Sequence, residues 1–256
     1  MSFNWEFFFD HLLTPHPDFI AGLWTTVLVS VISMALALIV GVCVALLLRS
    51  DAPLLRGIGA GYVWVIRGTP LLVQLVIVYN GLAAANIYRF SDTSIAGISI
   101  SGVIQAAIVT LTIYESAYIA EIVRSGIESV DRGQFEASEA LAMTPGLAMR
   151  TVILAQALRT MVPPLGNIFN GLMKETSILS IIGVTEMFLV TQGISATSFR
   201  TFEIFIVAAL YYLLLTTVWA IIQFFIERRL SHYMGITPRP FRFTEAMRRR
   251  PVNATA

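Results

Sequence analysis

Apolar residues in this chain come in long, nearly unbroken runs rather than at the spacing of an amphipathic helix or a half-buried strand. Five runs, at 20–48, 71–88, 98–122, 165–184 and 202–226, hold few or no charges. Each is close to or longer than the roughly 20 helical residues that cross a bilayer core. The pattern predicts an all-α integral membrane protein of five transmembrane helices. The transmembrane domain covers 20–229, preceded by a short extracytoplasmic segment over 1–19 and followed by a basic tail over 230–256.

Composition agrees with that pattern. The chain has 256 residues, is 56% hydrophobic and only 13% charged, and its mean hydropathy of +0.76 excludes an ordinary soluble domain. A net charge of +1 gives no sign of nucleic acid as a partner; the partner that composition requires is the lipid bilayer. The lone Cys43 excludes an intramolecular disulfide and a cysteine-rich metal site. Residues 1–19 contain no Lys or Arg and so lack the basic start of a cleavable signal peptide. The first span is expected to serve as an uncleaved signal.

The placement of arginine sets the expected orientation. Arg49, Arg56 and Arg67 lie between the first two runs, Arg124, Arg132, Arg150 and Arg159 between the third and fourth, and seven arginines follow the fifth. Only Arg89 and Arg200 fall on the other side. The positive-inside rule then puts the N-terminus outside and the C-terminus inside, as for a multi-pass protein of a bacterial cytoplasmic membrane.

The longest cytoplasmic loop, 124–161, does not read as a passive linker. Asp131 with Gln134 three residues on predicts a capping box, and Ala137, Ala140 and Leu141 form an apolar stripe at helical spacing. Thr144 followed by Pro145 predicts the start of a second helix, which Pro163 and Pro164 are expected to end. The loop is therefore a helix-turn-helix elbow, suited either to rest on lipid headgroups or to meet another protein.

Ionisable groups inside the spans are costly unless they face partners or water. Lys174, the sole Lys of the chain, lies roughly 15 Å beyond Pro164 at helical rise, and Asn80 a similar distance beyond Pro70. Glu115 lies deeper than Glu121, so three spans bring polar groups to similar depth. A zwitterionic solute needs donors for its carboxylate and acceptors for its ammonium. Lys174, Thr176 and Ser177 are candidates for the first role, Glu115 and Glu175 for the second, and Tyr114, Ser116 and Tyr118 complete a polar, aromatic lining. The competing role for Lys174 is an ion pair with Glu175 or Glu115. Arg67, Glu121 and Arg124 stand at the cytoplasmic boundary, where gating or helix pairing is expected.

Several short blocks carry a resemblance. The stretch Gln134, Phe135, Glu136, Ala137, Ser138, Glu139, Ala140, Leu141, Ala142, Met143, continued by Val152, Ile153 and Leu154, resembles the EAA loop of importer permeases of the ATP-binding-cassette class. Arg67 to Gln74, Tyr118 to Arg124, Pro163 to Asn167 and Lys174 to Glu186 resemble the branch that imports polar amino acids. The resemblance implies a MetI-like bundle of five transmembrane helices with a cytoplasmic coupling-helix loop. It implies that residues 134–143 dock on an ATPase subunit. It also implies two ATPase subunits, a second permease subunit, identical or homologous, and an extracytoplasmic solute-binding protein. ATP and Mg would be held by the ATPase partner, with no cofactor or metal on this chain. Two positions depart from the family's pattern: Ala142 stands where Gly belongs and Ala155 where Pro belongs. Pro145 and Gly146 are expected to supply the chain reversal instead.

No GxxxxGK[ST] phosphate loop, HExxH motif, paired cysteines or Ser-His-Asp grouping stands out, so the chain reads as a non-catalytic transport subunit. Two alternatives stay open at this point: a proton-coupled carrier or channel for a small polar solute, and the same importer carrying an opine or ectoine.

Overall fold

The computed structural model describes residues 3–95 and 97–233; most of the basic tail expected over 230–256 lies outside them. The described chain is almost wholly helical, with one small hairpin. A short helix α1, Trp5–Leu13, is capped by Asn4, whose side chain accepts from the Phe7 amide. It precedes α2, Pro17–Leu48, the first long apolar helix. Helices α6, Gly102–Glu128, and α11, Thr201–Tyr233, are likewise long and apolar enough to cross a bilayer.

Two bent helix pairs raise the candidate crossings from three to as many as five, if each pair is one span. The first joins α3, Pro53–Gly68, to α4, Leu71–Val76, which continues through a π-helical turn, Ile77–Gly81, into α5, Leu82–Ala84. The bend at Thr69 and Pro70 is 103°, and the Gln74 amide staples it by donating to the carbonyls of Ile66 and Thr69 and to the Thr69 hydroxyl. Helix α3 was not apparent in the hydropathy pattern, because Gly57, Gly59 and Gly61 lower its intrinsic propensity. Packing secures it instead: Tyr62 donates to the Ile113 carbonyl and lies 2.6 Å from Ser116 Oγ.

The second bent pair runs from Pro145 to Ile182 and resumes as α10, Met187–Ser198, after a 55° bend. Its first part comprises α8, Pro145–Ala148, a π-helical turn, Met149–Ile153, α9, Leu154–Glu175, and a 3-10 segment, Thr176–Ile182. Pro163 and Pro164 do not end the helix as expected; they sit inside α9. In a helix bundle, neighbouring side chains can satisfy backbone groups around a proline. Here α11 braces the helix beside the prolines, with Gln223 donating to the Pro163 carbonyl and Trp219 to the Gly166 carbonyl, while the carbonyls that lose a helical donor are those of Arg159 and Thr160.

The third apolar run also begins later than its composition suggests. Strands β1, Thr93–Ile95, and β2, Ile98–Ile100, pair antiparallel, with Gly97 at φ +83° between them. Ser101 then caps α6, and Gln105 ties the hairpin down through the Ser91 and Ile100 carbonyls.

The core is centred on the contact between α2 and α6. Gly41 allows their close approach, since a Cβ there would lie 2.6 Å from Ile119 Cγ2. A smaller apolar cluster joins Phe8 of α1, Phe19 of α2, Met187 of α10, and Ile204 and Val207 of α11. The remaining apolar flanks of α2 and α11 are exposed, as they must be in a lipid solvent.

Candidate functional site

Several of the residues expected to meet a solute fall where helical geometry is irregular, whereas Glu115 and Tyr118 lie within the regular helix α6. Lys174 and Glu175 end α9 at its change from α to 3-10. Asn80 lies in the π-helical turn after α4. Such irregularities recur at functional hinges because they free backbone groups and re-aim side chains.

Glu115 of α6 is buried and its carboxyl group meets that of Glu175 across the α6–α9 contact. Oε2 of Glu175 is buried without a hydrogen-bond partner. Tyr114 lies beside both carboxyls, and its hydroxyl is 3.3 Å from that of Tyr118. Arg67 caps this row, its guanidinium carbon 5.1 Å from the centroid of the Tyr118 ring. The ion pair of Lys174 with Glu115 or Glu175, the competing role for that residue, is not formed. Adjacent helical residues point about 100° apart, and Glu175 turns toward α6 while Lys174 is exposed. Among the described residues Lys174 has no ion-pair partner.

Other expected residues separate from this group. Thr176 is fully buried and its hydroxyl donates back to the Met173 carbonyl. Ser177 donates to the Lys174 carbonyl. Asn80 lines a different cavity of about 510 Å³, together with Tyr79, Asn86, Tyr88, Arg89 and Phe90. Glu121 and Glu128 both pair with Arg124, at 2.8 Å and 2.7 Å, a helix-stabilising arrangement along one face of α6.

The elbow is built from the sequence up. Asp131 caps α7, Arg132–Ala140, by accepting from the Gly133 amide. The reciprocal half of the expected capping box is replaced, because the Gln134 side chain instead accepts from Gln156. Phe135 packs toward the bundle core and Ser138 is buried. Ala137, Ala140 and Leu141 therefore face outward, with Leu141 76% exposed.

The chain reversal expected at Pro145 and Gly146 is not made there. Those residues start α8 with Thr144 as its cap, and the reversal falls at Ala142, which has φ +55°. Its amide donates to the Glu139 carbonyl, and that of Met143 to the Ser138 carbonyl. These two bonds make the helix-ending turn that a left-handed residue permits.

A family model described as binding-protein-dependent transport system inner membrane component matches residues 37–232. The chain belongs to this family. It is 35% identical over 231 residues to the glutamine transport system permease protein of Escherichia coli (strain K12), covering 90% of this chain and 99% of that one. It is 34% identical over 230 residues to a probable amino-acid permease protein of Bacillus subtilis (strain 168), covering 90% and 97%. Among solved structures, an amino acid ABC transporter superposes with a TM-score of 0.76 at 34% identity, over 90% of this chain and 100% of that one. The inward-facing MetNI methionine ABC transporter superposes with a TM-score of 0.67 at 21% identity, over 82% of this chain and 95% of that one, a likeness of fold.

Membership in the family makes this chain a transport component with the MetI-like fold. Among the described residues, no cluster of three or more His, Cys, Asp or Glu side chains is placed to hold a metal. Sequence reasoning passed over Glu186, which is wholly buried and accepts from the Phe188 and Leu189 amides, Thr26 and Tyr212. An acidic residue immediately before an apolar helical run was the signal available for it.

Proposed function

We propose that this chain is the permease subunit of an ATP-driven, binding-protein-dependent importer of polar amino acids, and that it forms half of the translocation path. The observation that carries this reading is the outward-facing stripe of α7. Ala137, Ala140 and Leu141 are exposed on a helix fixed to the bundle through Phe135 and Ser138. An apolar stripe on a rigid, charged cytoplasmic helix favours a protein groove, and residues 134–143 are the segment that a partner ATPase would hold. A carrier or channel working alone would leave this surface unused.

The inner site supports that cargo. Glu115 and Glu175 place two carboxyl groups together with an unpartnered buried oxygen; such a pair shares one proton and keeps one negative charge to meet a cationic ammonium. Lys174, unpaired at the adjoining turn, supplies the donor for a carboxylate. The names of the relatives, amino-acid and glutamine permeases, agree with that pairing. A solute-binding protein would deliver the amino acid, and a second permease, identical or homologous, would close the path. Two ATPases closing on ATP and Mg would press on the paired elbows. Transport results if ATP and the loaded binding protein favour the same outward-facing state, a population shift by differential affinity.

The test is co-purification from the native membrane in mild detergent, followed by mass spectrometry, with wild type and the double variant Ala140→Asp, Leu141→Asp. An ATPase recovered with wild type and lost with the variant supports the proposal. A chain that emerges without an ATPase in both cases overturns it.

A further inference from the structure

Helix α1 presents four distinct sectors. At about 100° per residue, Phe8 and Leu12 share one sector, and both pack into the cluster around Phe19 and Val207. Trp5, Phe9 and Leu13 occupy the next and are 62%, 50% and 74% exposed. Glu6 and Asp10 follow, also exposed. Phe7 and His11 complete the circle and border a cleft of about 750 Å³ whose lining includes His16, Asp18 and Thr197.

The helix is held firmly in this orientation. The Asn4 amide donates to Glu203 at 2.8 Å, and Tyr211 donates to the Leu12 carbonyl at 2.9 Å, so α11 grips both ends. The exposed apolar sector is thus a fixed surface of a packed helix, next to the core sector and opposite the polar cleft.

We propose that this sector is an interfacial anchor, with Trp5, Phe9 and Leu13 seated in the headgroup–acyl boundary of the bilayer leaflet at the N-terminal side. Continuity identifies the occupant as lipid. Trp5 contacts Phe3, and Phe3 meets Phe202 edge-on at 5.9 Å. Phe202, 68% exposed, opens the apolar flank of α11, the surface that faces lipid if α11 crosses the membrane. Trp and Phe suit the boundary because a large apolar ring tolerates its mixed polarity. Glu6 and Asp10 occupy the adjoining sector, which then faces water, as in helices that lie at a membrane surface.

The test is spin-label accessibility on the assembled complex in lipid nanodiscs. In a Cys43→Ser background, single cysteines replace Trp5, Phe9, Leu13, Glu6 and Asp10 in turn. Leu213→Cys provides a lipid reference and Asp51→Cys a water reference. Collisions with oxygen report the acyl region and collisions with a nickel chelate report water. The expected result is nickel accessibility several-fold lower at 5, 9 and 13 than at 6 and 10, with oxygen accessibility approaching that at 213. Nickel accessibility equal along the helix overturns the proposal, because the stripe then faces water. Low accessibility to both reagents also overturns it and assigns the stripe to a second copy, another permease or the binding protein.

Discussion

The amide of Met143 donates to the carbonyl of Ser138 at 3.1 Å, closing the end of α7 around Ala142. The turn needs a left-handed residue between those partners, and Ala142 adopts it at φ +55°. A side chain with a Cβ pays about 1 kcal/mol for that conformation relative to glycine.

Ala142→Gly is therefore expected to stabilise the elbow by about 1 kcal/mol. Hydrogen exchange at the Met143 amide should slow, and Ala142→Val should speed it. Gly146→Ala should leave it unchanged, because Gly146 sits in the first turn of α8. A Met143 amide indifferent to residue 142 but sensitive to residue 146 would return the reversal to Pro145 and Gly146.

The acidic pair tests the cargo. Glu115→Gln and Glu175→Gln should each lower uptake at subsaturating amino acid by about 10- to 100-fold, the size of one charge-assisted hydrogen bond, while the complex still assembles. Lys174→Ala should impair uptake of carboxylate-bearing solutes more than assembly. Uptake by reconstituted complex, set beside the yield of assembled complex, separates these outcomes. Parallel loss of both would make the three residues structural.

Glu186 holds three helices at one point. Its carboxylate caps α10, accepts from Thr26 of α2 and accepts from Tyr212 of α11. Glu186→Ala removes the cap and strands buried donors, an expected loss of about 2–4 kcal/mol, visible as a lowered Tm in detergent. Gly22→Ala should act at the same contact, since its Cβ would lie 3.0 Å from the Glu186 carbonyl carbon and the Met187 nitrogen. An unchanged Tm for both variants would contradict this packing.

The gating role proposed for Arg67 is tested at its contact with the Tyr118 ring. Tyr118→Phe keeps the ring beneath the guanidinium, whereas Tyr118→Leu removes an interaction of about 0.5–1 kcal/mol. Basal ATPase activity of the complex without binding protein is expected to rise about two- to fivefold in Tyr118→Leu and to change little in Tyr118→Phe. Equal effects of the two substitutions would assign the role to the hydroxyl and its contact with Tyr114.

Sequence alone determined the membrane character, the family resemblance and the elbow, because each is written in local composition and spacing. Long apolar runs have no other stable home than a bilayer or a very large core, and Asp131 and Pro145 act on their own neighbours. Tertiary structure decided what depends on facing. It turned Glu175 rather than Lys174 toward Glu115, and it buried Ser138 while leaving Ala137 and Leu141 outside. Helix α3, weak in propensity, exists because Tyr62 reaches α6. Helix α9 runs through Pro163 and Pro164 while packed on α11, whose Gln223 and Trp219 bond the Pro163 and Gly166 carbonyls. Such outcomes arise between segments far apart in the chain, where periodicity specifies a face but only packing selects what that face meets.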